Sequence, residues 1–403
     1  MFKINRVSLA ALAIAAFWFV AISPSTWAAK TCYDCHKKAQ SEFSSRKIIH
    51  DPVKKVQCES CHKRHGFANQ LTLVDNTAQL CYTCHPETKE KLASGKIHYP
   101  VEKGLCWDCH DPHASDKKGL IKKGQEGVDD PSGCMNCHGE DIATLGKSQF
   151  KHTPYESKAC VLCHDPHNSL QVALLKDTPA ALCGSCHKTD DKKFKQSHEG
   201  KLSAGVDCVD CHTGHSSSLP PLLKRSLLDT CLGCHDEEIA LPSGRKVANM
   251  AALLKENPNH HGPIRQADCS ACHNPHASAH ANLLTQTYPP VFYAPFNPDN
   301  YRLCFTCHRS ELVSAEDGRG VTEFRQGNLN LHYMHVSKQN KGRTCRACHA
   351  VHASKSPAHL SGVVPYGNWK YEIKFEPTQT GGVCAAACHA TRAYDRTEES
   401  ATK

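Results

Sequence analysis

At 403 residues, with 48 Lys and Arg against 40 Asp and Glu, a formal charge of +8 and a mean hydropathy of -0.50, the chain is long enough for two or three ordinary domains. Hydrophobic residues are 39 %, and setting aside the 26 cysteines leaves roughly a third of the chain, too thin for ordinary cores. Something other than side chains has to fill the interior.

Lys3 and Arg6 precede an apolar run from Val7 to Ile22, and Thr26-Trp27-Ala28 places small residues at −3 and −1 of a cleavage site. Residues 1–28 therefore read as a secretory signal peptide. The alternative is an uncleaved anchor, for which the run is short. No later stretch is apolar enough to span a bilayer, so the expectation for residues 29–403 is an exported chain with no membrane span of its own.

Cys32-Tyr-Asp-Cys35-His36 is the first of a series. Cys-x-x-Cys-His is the attachment signal of a c-type haem, whose vinyl groups take the two thiols while the next imidazole lies against the iron. The pattern recurs at Cys58, Cys61 and His62; Cys81, Cys84 and His85; Cys106, Cys109 and His110; Cys134, Cys137 and His138; Cys160, Cys163 and His164; and Cys183, Cys186 and His187. It continues at Cys208, Cys211 and His212; Cys231, Cys234 and His235; Cys269, Cys272 and His273; Cys304, Cys307 and His308; and Cys345, Cys348 and His349. Zinc ribbons and disulfides also use paired cysteines, but neither needs a histidine after every pair. A thirteenth motif departs: Cys384-Ala-Ala-Ala-Cys388-His389 has three residues between its thiols, and a disulfide there is the alternative to haem. The census uses every cysteine and predicts thirteen covalent haems c.

After the lone first motif come six doubled units, approximately 50–85, 98–138, 152–187, 198–235, 261–308 and 335–389. Each opens on an upstream histidine, His50, His98, His152, His198, His261 or His335, eight or ten residues before its first motif. In four units it is followed by x-Pro, which favours an extended or turned backbone there. The first motif of each unit is extended to Cys-His-x-x-His, giving His65, His113, His167, His215, His276 and His352. Three residues from its own proximal histidine, such a side chain is too close to pass round the macrocycle, so it must serve another haem. A small apolar patch, Leu174-Leu175 in the third unit, then reads as packing on a haem face.

These twelve histidines supply twelve distal ligands, and the thirteenth is left among His260, His280, His332 and His359. Methionine offers little competition, so bis-histidine ligation and low potentials are expected. An iron with two protein ligands passes electrons, and no catalytic residue is singled out. The positive charge does not point to nucleic acid. Removing Lys3 and Arg6 leaves about +6, and thirteen haems with two propionates each bring the total to about −7 when ferric or −20 when ferrous.

Repetition of incomplete units marks an array finished by its neighbours. The expected fold is mostly irregular, with short α-helices, minimal β-structure and an elongated multihaem array. Lys246 to Glu256 has helical spacing, Trp369, Tyr371, Ile373 and Phe375 alternate as in a strand, and Thr287 to Tyr301 reads as a loop covering haem edges.

These doubled motifs resemble those of the multihaem cytochromes with doubled CXXCH motifs. The tail, from Phe324-Arg-Gln-Gly-Asn-Leu-Asn-Leu-His332-Tyr-Met-His335 through Trp369-Lys-Tyr-Glu-Ile-Lys-Phe and Gly381-Gly-Val-Cys384 to Tyr394-Asp-Arg, is similar to the C-terminal part of large cytochromes from dissimilatory metal-reducing bacteria. The resemblance implies a periplasmic electron carrier, outer-membrane-associated within a porin-like β-barrel. Its partners would be periplasmic or inner-membrane electron donors on one side and extracellular cytochromes on the other. The decahaem members have ten motifs, and thirteen here is a departure. Two further readings stand beside the conduit: a multihaem reductase with one open haem, and a surface-exported or polymerising cytochrome.

Overall fold

The computed structural model describes residues 30–64, 71–122, 132–188, 207–241, 244–386 and 388–398. The signal segment, His65 and His198 lie outside them. As the composition requires, the fold is mostly irregular: helices are largely single turns, and strands come as two-residue pairs apart from one four-stranded sheet. No described helix is long and apolar enough to cross a membrane. The chain divides into two units, residues 1–80 with 110–122 and residues 81–109 with 123–403.

In the first unit Ile48–Ile49 pairs antiparallel with Ala114–Ser115, and the His50 N–H donates to the His113 carbonyl at 2.9 Å. The second unit repeats this bracket three times. Lys96–Ile97 pairs with Asn168–Ser169, Phe150–Lys151 with Ser216–Ser217, and Asn259–His260 with Ala353–Ser354. The residues before an upstream histidine thus pair with those just after a Cys-His-x-x-His histidine one repeat later. Such ladders are too short to stand alone. They act as clasps joining one repeat to the next.

The His-x-Pro sequences explain the other side of each clasp. His50, His98, His152 and His261 have extended backbone and cap the one-turn helices Asp51–Lys54, Tyr99–Glu102, Thr153–Glu156 and Gly262–Arg265, with proline in the first turn. Proline there lacks only an N–H that would go unpaired anyway. It starts the helix while leaving the histidine outside.

Many motifs sit on single turns, such as Cys160–Cys163 and Cys208–Cys211, where the hydrogen bond from the histidine N–H back to the first cysteine carbonyl closes the turn. The last motif differs because its first cysteine is on a strand. Val363–Tyr366 (β1), Trp369–Pro377 (β2), Gly381–Ala386 (β3) and Arg392–Asp395 (β4) form an antiparallel sheet in that order, with Cys384 opposite Phe375 and Arg392. Gly381 admits the close pass of β4, since a Cβ there would sit 1.8 Å from the Tyr394 carbonyl oxygen. Without a helical turn between its thiols, this motif carries one more residue.

One expectation needs correction, and another gains detail. The helix read over Lys246 to Glu256 begins only at Met250, because the Asn249 side chain caps it by accepting from the Ala252 N–H at 2.7 Å, while Lys246–Val247 forms a strand with Ile239–Ala240. The aromatic insertion after Thr287 is a small core of its own. Tyr301 is fully buried with Val313 and Val336, and Tyr288, Phe296 and Phe305 pack around them.

Elsewhere a core is nearly absent. Eleven hydrophobic residues are buried among those described, five of them alanines. Burying a Leu- or Phe-sized side chain contributes about 1.5–3 kcal/mol, and too few are buried to offset ordering a chain this long. Protein produced without haem attachment should therefore show no cooperative thermal transition and be digested throughout the repeats by a protease that spares the haem-loaded form.

Candidate haem sites

The geometry of the proximal histidines starts from a turn. Nine residues after the first-motif histidine of a unit a carbonyl accepts from its ring Nδ1: Gly119 for His110 at 2.7 Å, Ala173 for His164 at 2.8 Å, Pro221 for His212 at 3.0 Å, Asn282 for His273 at 2.8 Å and Ala358 for His349 at 2.9 Å. In four of the five turns two successive residues have positive φ, Gly119-Leu120, Ala173-Leu174, Asn282-Leu283 and Ala358-His359. Left-handed backbone costs about 1–2 kcal/mol for a non-glycine residue, so the turn is held by what it supplies. A proton fixed on Nδ1 leaves Nε2 as a lone-pair donor to a metal. Leu175, read from sequence as a packing residue, also forms an isolated β-bridge with His164, and Leu223, Leu284 and Leu360 do the same for their histidines.

Distal histidines are oriented in the same way. The Nδ1 atoms of His50, His98 and His152 bond the carbonyls of Pro112, Pro166 and Gly214 at 2.8–2.9 Å, each the residue just before a Cys-His-x-x-His histidine. Asp165 accepts from the His167 N–H at 2.9 Å.

Eight pairs of imidazoles then face one another, with centroids 5.8–6.3 Å apart and planes within 24°. Two metal–nitrogen bonds of about 2 Å each, plus the half-width of two five-membered rings, span about 6 Å. The gaps fit one iron each. His98 faces His138, His152 faces His187, and His261 faces His308, so an upstream histidine meets the second motif of its own repeat. His113 faces His62, His215 faces His164, His276 faces His212, and His352 faces His273. A Cys-His-x-x-His histidine thus meets the first motif of the preceding repeat. His349 belongs to the last repeat, and it faces His332 at 6.3 Å. Burial holds the His332 and His352 imidazoles down at about 4, the nearby His349 and His273 adding to the effect, which keeps both neutral as a metal ligand must be. His335, pushed down chiefly by burial, also feels His389.

Sulfurs adjoin in an alternating order. Cys32 lies within hydrogen-bonding reach of Cys58 in the first unit, and in the second Cys81 meets Cys106, Cys134 meets Cys160, Cys183 meets Cys208, Cys231 meets Cys269 and Cys304 meets Cys345. Between these, Cys211 neighbours Cys234 and Cys272 neighbours Cys307. Consecutive motifs therefore stand side by side, joined alternately through their first and second cysteines. None of the cysteines forms a disulfide, Cys384 and Cys388 included. A continuous cavity of about 4230 Å³ in the second unit is lined by His187, His212, His235, His273, His308 and His349 among others. It is several times larger than the roughly 300–1,000 Å³ of a single-ligand pocket.

Attachment motifs, metal-width imidazole pairs and an apolar void define a multihaem c-type cytochrome, an electron-transfer protein with covalently bound haem c. The chain belongs to the family with the doubled CXXCH motif, whose model matches residues 50–90, 98–143, 152–192, 200–240 and 261–312, more than half of the sequence. It is also similar to the multiheme cytochrome MtrA of Shewanella baltica (strain OS185), 29 % identical over 180 residues, which are 40 % of this chain and 52 % of that protein. The chain thus spans about half the length of this relative.

The nine-residue interval from a proximal histidine to its carbonyl acceptor was open to a sequence reader, since it repeats in five units. Ala173→Gly should relieve the left-handed strain and raise the denaturant midpoint of the haem-loaded protein, by about 0.5–1 kcal/mol after the added freedom of the unfolded chain is subtracted. Ala173→Val should lower it.

Proposed function

We propose that this protein is a low-potential electron conduit of thirteen haems that carries charge along its motifs in sequence order, across the periplasm and outer membrane toward an extracellular acceptor. The observation that carries the reading is the pairing of imidazoles at metal width, repeated under one rule. Haem supplies the one-electron couple, and two imidazoles close the iron to other ligands. The chain's part is to fix many of the rings by Nδ1, exclude water from the gap and set neighbouring motifs edge to edge.

The rule accounts for the histidines. Under it the distal ligands are the upstream histidines for second motifs and the Cys-His-x-x-His histidines for the first motifs one repeat back. His65 then serves the lone His36, His198 serves His235 and His335 serves His389. For the first motif of the repeat at 335–389, His332 takes that place as the thirteenth distal ligand. Twenty-six of the 29 histidines are used, leaving His260, His280 and His359. A full complement argues against an open haem and hence against a reductase.

The intact mass should show thirteen haems, and the reduced protein should bind little carbon monoxide. His215→Ala should give one high-spin iron at the haem of Cys160 and Cys163. His167→Ala should leave that iron low-spin and open a different one; the reverse result would sink the wiring rule. Stoichiometric carbon monoxide binding with turnover of nitrite or hydroxylamine would favour the reductase.

The place is argued from length and from the relative. A soluble shuttle needs few haems, whereas thirteen in series are suited to crossing a hydrocarbon layer of about 30 Å. With no described spanning helix, passage through the membrane requires a partner that supplies a closed barrel. The protein should co-purify with an outer-membrane β-barrel in detergent, and the pair in liposomes should oxidise an enclosed dye when a ferric acceptor is added outside. Recovery wholly in the soluble fraction, without transmembrane current, would leave the shuttle or the surface-exported reading.

A further inference from the structure

Of the three histidines left over by the ligand rule, two stand together. His260 and His359 wall a small pocket of about 200 Å³ together with Pro258, Asn259, Arg265 and Ala358. Ala358 and His359 line the large haem cavity as well, so the two cavities share a wall.

His359 breaks the pattern of its repeat. It occupies the second left-handed position of the turn, at φ 55°, where the equivalent residues are Leu120, Leu174 and Leu283 at 55–57°. A leucine satisfies the turn, so the imidazole is there for another reason. Its ring stands edge-on to His261, 5.3 Å between centroids and perpendicular, and its Nδ1 is buried with no partner. A buried bare acceptor is tolerated better than a buried orphan N–H, which puts the proton on Nε2. That nitrogen makes no hydrogen bond within the described residues. Arg265, one turn on from His261, makes no ion pair among them either. The other polar walls are spent: His260 Nε2 bonds the Leu254 carbonyl at 2.9 Å and Asn259 Nδ2 the Lys355 carbonyl at 3.1 Å.

A polar chamber with one cation, one neutral donor and no acidic side chain on its wall suits a carboxylate. We propose that it receives a propionate of the haem whose iron lies between His261 and His308, with His359 Nε2–H and the Arg265 guanidinium as donors. This rests on the bis-histidine reading above. The donors offset the carboxylate charge beside the iron, and by destabilising the ferric form they raise that haem's potential relative to its neighbours.

The test uses the full haem-loaded protein. His359→Leu installs the residue that the equivalent turns of other repeats use, so the turn is kept; His359→Gln keeps a donor, and Arg265→Gln removes the cation. In spectroelectrochemical titration, one-thirteenth of the amplitude should move to lower potential in His359→Leu and in Arg265→Gln. The expected size is a tenfold change in that haem's redox equilibrium, about 59 mV for one electron. His359→Gln should move it less, and haem mass and low-spin spectra should be unchanged. Unmoved curves in both variants overturn the proposal, as does a new high-spin signal in His359→Leu, which would make the residue a prop for His261. Acetate or phosphate that shifts the same component in the unsubstituted protein would show a free anion in the pocket and overturn the propionate assignment. Failure of the underlying ligand reading is distinct: high-spin iron at this site before any substitution.

Discussion

Two imidazole rings held opposite one another, with near-parallel planes and centroids about 6 Å apart, are the contact that the rest of this chain serves. The helices are one turn long, the strand pairs two residues, and the buried hydrophobic side chains few, so none of them could hold a fold by itself. Each makes sense as a means of fixing a histidine. Prolines start helices that leave the histidine at the cap, and clasps of two residues bring a partner from the next repeat. Strained turns aim a carbonyl at Nδ1. The energy that ordinary proteins draw from a side-chain core has to come here from burying macrocycles and from metal bonds, which also means that folding and haem attachment are one process.

Much of this was legible in the residues. The cysteine and histidine spacings carry covalent haem and doubled repeats, and the three-residue offset of His167 from His164 requires service to another motif. The structure agrees to the extent that His164 faces His215 instead. What spacing could not reveal is direction. Nothing in the interval from His152 to Cys160 says that His152 meets the second motif of its repeat and not the first, because that choice is made by a clasp between residues some 65 positions apart. The thirteenth partner was similarly hidden: His332 is distinguished from His260, His280 and His359 only by the helix Leu331–Val336 that turns it toward His349. The left-handed turns were missed because leucine and alanine are poor advertisements for positive φ. The aromatic insertion packs on itself and also lines the haem cavity through Tyr288, and aromatic residues among prolines do not reveal the first of these in sequence.

The repeat at 335–389 is built differently from the others. Where first motifs of other described repeats meet a histidine from their successor, its first motif meets His332, from the helix Leu331–Val336 at the start of the repeat, and its second motif begins on β3. Tyr394 and Phe375 stack behind that strand, and Phe324 lies against His335 and Tyr394. Aromatic rings and a sheet surround this motif, and among the described residues this region and the Tyr301 cluster are where side chains build an interior.

The clasp also governs how such a chain can change over generations. If each internal repeat gives one histidine backward and receives one from ahead, as four described pairs do, copying a complete repeat in the middle leaves each donation matched. Copying half of one leaves an iron without its sixth ligand. Genetic drift in length is therefore quantised in pairs of motifs, and an odd total follows whenever a lone motif leads the series. The terminal repeat, self-sufficient through His332, cannot be duplicated inward without competing for its neighbour's offer. A wire of this construction lengthens by whole links inserted between fixed ends.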